Sequence, residues 1–495
     1  MRDSVKPNTD VPLVVDLDGT LIRTDLLHES VFALLKINIF YLFLLPFWLL
    51  QSKAHLKQQI ADRVELRFEL LPYQSEFLDY LRDEHETGRR LILATASNAA
   101  FADGVADHLG VFDVAFGSSA TENNSGAVKL SRIQALLEGA PFAYAGNSAV
   151  DLPIWKESDS AVLVNAPGSL HKQVEHAARI VGVFEDTRSN MSSLLKAVRP
   201  HQWLKNLLVF VPLVLSHQLT DAQVFLQALL GFVAFSLCAS SVYLLNDLLD
   251  LPSDRRHPTK RFRPFAAGDL SIVHGVIAMV VLLLASMLIA LTLPPYFFPV
   301  LTLYYGFTMA YSLWFKRAAM VDVLVLAGLY TLRLIAGAAA VSVAPTFWLL
   351  AFSMFLFLSL ALIKRYSELQ LLQADGQGQL AGRAYRLVDT DTLAQLGTSS
   401  GYLAVLVLAF YINSDTVYEQ YARPEALWLL CPMMLYWISR MWLLTRRGEM
   451  HDDPVVFTIR DRRTHWLAVF ACGALLVATY WPFVRNILTP FLPGL

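Results

Sequence analysis

Beyond residue 200 the chain runs in long apolar segments, and this limits its fold more than any other feature. A helix that crosses a bilayer needs about 20 mostly apolar residues, because the hydrocarbon core offers no water to an open backbone. About nine stretches approach that length: 203–218, 222–246, 270–293, 296–315, 321–341, 345–363, 398–414, 425–445 and 466–485. With 55% hydrophobic and only 17% charged residues, the chain reads as an integral membrane protein. A net charge of −2 gives no global attraction to nucleic acid. Cys238, Cys431 and Cys472 lie far apart in apolar segments and read as small core residues, with neither disulfide nor zinc spacing.

Cations sort between alternate loops. Arg255, Arg256, Lys260, Arg261 and Arg263 lie between the second and third segments, Lys316 and Arg317 between the fourth and fifth. Lys364, Arg365, Arg383 and Arg386 follow the sixth, and Arg446, Arg447, Arg460, Arg462 and Arg463 follow the eighth. The intervening loops are nearly free of Lys and Arg, apart from Arg423. This bias predicts a multi-pass protein of the cytoplasmic (inner) membrane with these loops in the cytoplasm.

Residues 1–195 have different physics. Short apolar runs alternate with polar helical stretches, and the opening MRDSVKPNTD reads as a polar lead-in rather than a secretory signal. The two-domain expectation is a soluble α/β domain over 1–195 and an all-α polytopic membrane domain over 196–495.

The second-to-third loop reads NDLLDLPSDRRHPTKRFRP, from Asn246 to Pro264. Asn246, Asp250 and Asp254 recur every four residues, so they share a face if the helix continues, with Asp247 beside it. Pro252 ends or bends that helix. Carboxylates crowded at a membrane edge repel one another unless a cation sits among them. Magnesium shared between carboxylates and phosphate oxygens resolves the repulsion. His257, Lys260, Arg261 and Arg263 would neutralise the remaining phosphate charge.

This segment resembles the first aspartate-rich motif of the UbiA superfamily of intramembrane prenyltransferases. The resemblance implies nine helices and a magnesium-held pyrophosphate, with Asp247, Asp250 and Asp254 catalytic and Asn246, Asp250 and Asp254 at the metal. The second aspartate-rich motif of aromatic prenyltransferases, Asp-x-x-x-Asp, is missing from the sixth-to-seventh loop. RPHQWLKNLLVFVPL (199–213, with Lys205), HPTKRFRPFAAGDL (257–270), YTLRLIAGAAA (330–340), KRYSEL (364–369) and DDPVVFTIRDR (452–462) instead resemble the decaprenyl-phosphate phosphoribosyltransferase branch. That branch implies 5-phosphoribosyl 1-pyrophosphate as donor and a polyprenyl phosphate as acceptor. Lys205, Arg333, Lys364, Arg365 and Tyr366 are then substrate- or phosphate-binding residues.

Arg333 stands within an apolar run, where an arginine is costly and faces a polar cavity, snorkels or pairs. Asp322 has two readings, a ligand for magnesium or ribose hydroxyls and an ion-pair partner of Lys316 and Arg317. The Gly and Ala cluster at 337–340 suits close helix packing. Two other readings of the membrane half are a prenyl transfer to an aromatic acceptor and a non-enzymatic lipid-binding or transport protein.

In the first half, VVDLDGTL (14–21) sets Asp16 and Asp18 on one side of a strand end, with Gly19 for a tight turn. It resembles motif I of the haloacid dehalogenase (HAD) superfamily. The resemblance implies a doubly wound α/β (Rossmann-like) sheet, Asp16 as nucleophile, Asp18 as acid/base, and magnesium held by Asp16, Asp18 and Asp151. Thr95, Lys129 and Asn147 match its phosphate-binding and acidic motifs, Asn147 standing where many members have Asp. A magnesium site is thus expected in each domain. Residues 26–88 form a helical cap, in which INIFYLFLLPFWLL (37–50) is too short to span and is expected at the membrane surface.

Overall fold

The computed structural model describes residues 11–185, 190–374, 384–450 and 453–481. The chain forms two compact units: Met1–Arg199 with Tyr243–Val280, and Pro200–Val242 with Val281–Leu495.

The first unit holds a six-stranded sheet of β1 (Leu13–Val15), β2 (Leu91–Asn98), β3 (Val114–Ser118), β4 (Ala143–Gly146), β5 (Ser160–Val164) and β6 (Arg179–Phe184). The order is β3-β2-β1-β4-β5-β6, with every pair parallel. Successive side chains of a strand point to opposite faces, and helices cover both faces of a parallel sheet. Leu13 and Val15 therefore enter one apolar cluster with Leu91, Leu93 and Ala145, while Val14 enters the other with Ile92, Tyr144 and Leu163. Strand order reverses at β1, so the ends of β1, β2 and β4 open onto one crevice.

Helices α1 (Leu26–Ile37), α2 (Tyr41–Gln51) and α3 (Lys53–Ala61) come between β1 and β2, where the cap was expected. Asp25 caps α1 by accepting from the His28 amide. In α2 only Trp48 is buried, among Leu34, Leu56, Ile60 and Val64. Phe40, Leu42, Phe43, Phe47 and Leu50 are exposed, Leu50 by 82%.

Among the described residues, six helices are long and apolar enough to cross a membrane: Ala222–Leu249, Ile272–Leu291, Val321–Ala340, Phe347–Leu371, Leu387–Ile412 and Pro424–Arg446. The expected nine are not reached. The first expected segment is a 3-10 run, Pro200–Phe210, followed by a five-residue helix in which Pro212 sits in the first turn. The fourth is a 17-residue helix, Phe297–Leu313. The last forms Arg462–Thr479, and residues 482–485 lie outside the described part.

The second unit packs by close backbone approach, as the 337–340 cluster suggested. A Cβ on Gly337 would lie 2.1 Å from the carbonyl oxygen of Val209. That neighbour is backbone and has little room to yield. Gly337→Val is expected to destabilise the protein by about 1–3 kcal/mol, read as a lowered thermal midpoint in detergent.

Candidate functional sites

The crevice of the α/β sheet collects Asp16 and Asp18 from the end of β1, Thr95 and Ser97 from β2, and Asp151 after β4. Gly19 makes the turn with φ +76°, and a Cβ there would meet the Asn147 amide nitrogen at 2.1 Å. Asn147 thus lies directly against the Asp16–Asp18 turn.

Lys129 Nζ donates to Asp16 Oδ1 at 2.8 Å and to the Tyr144 hydroxyl at 3.0 Å, and lies 3.5 Å from Asp151 Oδ1. The Tyr144 hydroxyl donates to Asp151 Oδ1 at 2.9 Å. Asp18 accepts from the Leu26 amide at 2.8 Å, from Ser97 Oγ at 2.7 Å and from Thr95 Oγ1 at 3.3 Å. Thr95, expected on a phosphate, here orients Asp18.

Burial pushes Asp16 up to about 6 although Lys129 opposes it. Burial and the neighbouring Asp25 push Asp18 to about 7, which suits a group that holds a proton near neutrality. Burial pulls Lys129 down, but Asp16 and Asp151 outweigh it and keep the ammonium charged. Sequence reasoning missed Lys57, whose Nζ reaches the Ala96 carbonyl at 2.5 Å and Asn123 Oδ1 at 2.6 Å. Its distance along the chain from Asn123 leaves no local signal.

The acidic motif departs from a single continuing helix. Ala222–Leu249 stops, Asp250 takes the N-cap position, and a new helix runs from Leu251 to Arg256 with Pro252 in its first turn. Asp250 accepts from Lys36 Nζ at 3.0 Å. The carboxylates brought together are Asp247 and Asp254. Arg263 Nη1 bridges them, 3.1 Å from Asp247 Oδ1 and 2.6 Å from Asp254 Oδ2.

Arg199 also donates to Asp247 Oδ1. Its backbone takes φ +55°, an uncommon conformation for a side chain that precedes proline. No sequence pattern announced this. His257 Nδ1 accepts from the Thr259 amide at 3.3 Å and the Lys260 amide at 3.4 Å, and the Arg261 guanidinium lies 4.8 Å from the Phe262 ring centroid.

Asp247 Oδ2 and Asn246 Oδ1 are buried and have no hydrogen-bond partner. Two adjacent orphaned oxygens of hard-donor type fit a magnesium ion or a protonated ligand atom. Among the described residues no three His, Cys, Asp or Glu side chains form a ready metal cage. Magnesium there would complete its shell with phosphate and water oxygens, its usual habit.

The second unit places its predicted residues in three sets. Lys205 Nζ and Lys364 Nζ both donate to Asp453 Oδ2, at 2.8 and 3.0 Å. Burial would raise Asp453, but the two ammonium groups outweigh it and hold the carboxyl well below its usual range. Arg365 is fully buried on Asp322, Glu368 and the Tyr311 hydroxyl, at 2.6, 2.6 and 2.8 Å. Asp322 is thus an ion-pair partner of Arg365. Arg333 donates to Asn206 Oδ1, the Leu329 carbonyl and the Tyr304 hydroxyl, and stacks near Phe235, Tyr304 and Tyr330. Tyr366 is buried edge-on against Trp442. Asp375, Arg383 and Asp452 lie outside the described residues.

Comparison with known proteins finds two families along the chain. Residues 207–459 match the UbiA prenyltransferase family, and residues 13–156 match haloacid dehalogenase-like hydrolases. The chain is 36% identical over 472 residues to the uncharacterized protein y4nM of Sinorhizobium fredii, covering 94% of this chain and 91% of that one. It is 37% identical over 284 residues to decaprenyl-phosphate phosphoribosyltransferase of Mycobacterium tuberculosis, covering 56% of this chain and 91% of that one. A solved UbiA homolog from Archaeoglobus fulgidus, bound to DMAPP and Mg2+, aligns with a TM-score of 0.46 at 17% identity, over 58% of this chain and 99% of that one.

The raised Asp18 carboxyl gives a pH prediction. Its folded pKa of about 7 lies above the ordinary 3.8, so the folded state favours the acid form and loses stability as pH rises through 7. Asp18→Asn is expected to stabilise chelator-treated protein at pH 8, on the order of a few kcal/mol, and to change little at pH 4. Thermal midpoints at the two pH values check this.

Proposed function

The chain belongs to the UbiA prenyltransferase family, and from that premise we propose that it transfers 5-phosphoribose from 5-phosphoribosyl 1-pyrophosphate to a polyprenyl phosphate. The observation that carries this reading is the 37% identity spanning 91% of a decaprenyl-phosphate phosphoribosyltransferase. The protein is multi-pass in the membrane, and the loop cations argue for the cytoplasmic membrane with the acidic motif facing the cytoplasm.

In this reaction the bond from ribose C1 to the pyrophosphate oxygen breaks, and an oxygen of the lipid phosphate forms the new bond to C1. The acceptor is already ionised, so no general base is required. Asn246 Oδ1, Asp247 Oδ2 and Asp254 would hold magnesium, which when bound neutralises the departing pyrophosphate. Arg263 fixes Asp247 and Asp254 relative to each other, and Arg199 fixes Asp247 from the other side. The work of these side chains is positioning and charge stabilisation. Lys205 and Lys364 outnumber Asp453 by one charge and are assigned to a substrate phosphate.

The α/β crevice supplies a second step, removal of the 5-phosphate from the lipid product. Asp16 attacks phosphorus, Asp18 donates its proton to the departing ribose oxygen, and water then releases phosphate from Asp16. Lys129 holds Asp16 in place and carries a charge that the phosphate would share. Asp16, Asp18 and Asp151 offer the hard oxygens that suit magnesium. The exposed apolar side chains of α2 are assigned to the lipid surface, which keeps this crevice near a lipid-borne substrate.

The test incubates purified protein with magnesium, a polyprenyl phosphate and ribose-labelled donor, and identifies the lipid by mass spectrometry. Wild type is expected to form lipid-phosphoryl ribose. Asp16→Asn is expected to stop at the 5-phosphorylated lipid, and Asp247→Asn to lose about 100-fold or more in transfer. No labelled lipid across several chain lengths would reject the transferase reading. Wild-type dephosphorylation by Asp16→Asn would reject the second step.

A further inference from the structure

Helix α1 grips the acidic motif at two points. Glu29 lies in its first turn and Lys36 in its last, seven residues apart and so on one face. The Arg255 guanidinium docks on Glu29 through both terminal nitrogens, Nη1 to Oε2 at 2.8 Å and Nη2 to Oε1 at 2.6 Å. Both side chains are buried, with 7% and 5% of their surfaces exposed. Arg255 Nε donates to the Ala266 carbonyl at 3.0 Å, so the whole fork is held. Two turns on, Lys36 takes Asp250. Negative then positive along α1 meets positive and negative at the two ends of the motif's short helix.

The same helix also holds the α/β crevice. The Leu26 amide, at the start of α1, donates to Asp18 Oδ1. The Thr24 hydroxyl donates to Glu29 Oε1 at 2.5 Å, and the Thr24 carbonyl accepts from the Gly19 amide at 3.1 Å. Arg255 is the chain neighbour of Asp254, whose Oδ2 rests on Arg263. A continuous set of hydrogen bonds and chain links therefore runs from Asp18 through Glu29 and Arg255 to the Asp254–Arg263–Asp247 group.

We propose that Glu29, a residue of the hydrolase-like region, is a positioning residue for phosphoribosyl transfer: through Arg255 it sets the pose of the helix Leu251–Arg256 and hence of Asp254. This rests on the reading of Asp247 and Asp254 as the magnesium–pyrophosphate site. A buried guanidinium that loses its carboxylate must move or admit water, and either shifts the helix that carries Asp254.

The test uses the full chain in nanodiscs and compares wild type, Glu29→Gln, the exchanged pair Glu29→Arg with Arg255→Glu, and Glu76→Gln as a control at an exposed position. Transfer is measured against magnesium concentration, and amide hydrogen exchange is measured over 251–256. Glu29→Gln is expected to need about tenfold more magnesium for half-maximal rate and to exchange faster at 251–256, with the exchanged pair recovering part of both. Wild-type magnesium dependence and wild-type exchange in Glu29→Gln would overturn the proposal, as would equal changes in Glu76→Gln. Should Glu29→Gln fail to fold, Lys36→Met at the more exposed contact is read the same way. If wild type transfers no phosphoribose, the functional reading fails, and hydrogen exchange alone still decides whether Glu29 positions the motif.

Discussion

A carboxylate buried at the end of an apolar helix organises the acidic motif. Asp247 has a side chain only 2% exposed, and an unpaired charge so placed costs several kcal/mol. Two guanidiniums meet this cost at one oxygen, Oδ1. Arg199 reaches it by accepting a left-handed backbone just before Pro200. Arg263 reaches it by a loop that folds back from the helix Leu251–Arg256 and takes Asp254 as well. The other oxygen, Oδ2, is buried without a donor, as is the side-chain oxygen of the neighbouring Asn246. The charge is paired but its hydrogen bonding is incomplete, and an incompletely satisfied buried site is where a cation or ligand gains most.

The same criterion separates the charges of the second unit. Arg365 with Asp322, Glu368, Tyr311 and Tyr385 is a closed set: each charged group meets an opposite charge or a hydroxyl, and Arg365 is fully buried. Arg333 is closed in another way, by a carbonyl, an amide oxygen, a hydroxyl and three aromatic faces. Such sets fix helix register, and removing one member leaves a buried charge alone. Lys205, Asp453 and Lys364 form an open set, two ammonium groups to one carboxylate, with Lys364 one-third exposed. Surplus positive charge that water can still reach suits an anionic substrate better than a structural role.

Much of this was legible in the residues, and the rest depended on breaks in helices and on partners distant in the chain. The spacing in VVDLDGTL set Asp16 and Asp18 together at the end of an apolar strand, and β1 ends at Val15 just before them. Gly337 and its small neighbours read as a packing site, and the Val209 carbonyl lies against them. The four-residue spacing of Asn246, Asp250 and Asp254 gives one face only if the helix continues, and Ala222–Leu249 ends before a new helix starts at Leu251. Asp250 is the break, and its partner Lys36 is 214 residues away. Glu29, Arg199 and Lys57 carry no local signal because their roles come from tertiary pairing or from a backbone angle. The first expected span fell to Pro200 and Pro212, which favour short and 3-10 turns over a continuous helix.

The fusion itself has a physical logic. A hydrolase acting on a soluble 5-phosphate would also meet the donor, which carries the same group, and would destroy it before transfer. Under the proposed function, a crevice held at the lipid surface would instead meet the lipid-borne product at high local concentration. Lys36 sits on Asp250, one residue past the end of Ala222–Leu249, and the exposed apolar run of α2 begins within a few residues of it. On this view selectivity between donor and product follows from where the hydrolytic crevice is held and needs no finer recognition of ribose. A cap detached from Arg255 and Asp250 would lose that preference while its own chemistry at Asp16 and Asp18 remained intact.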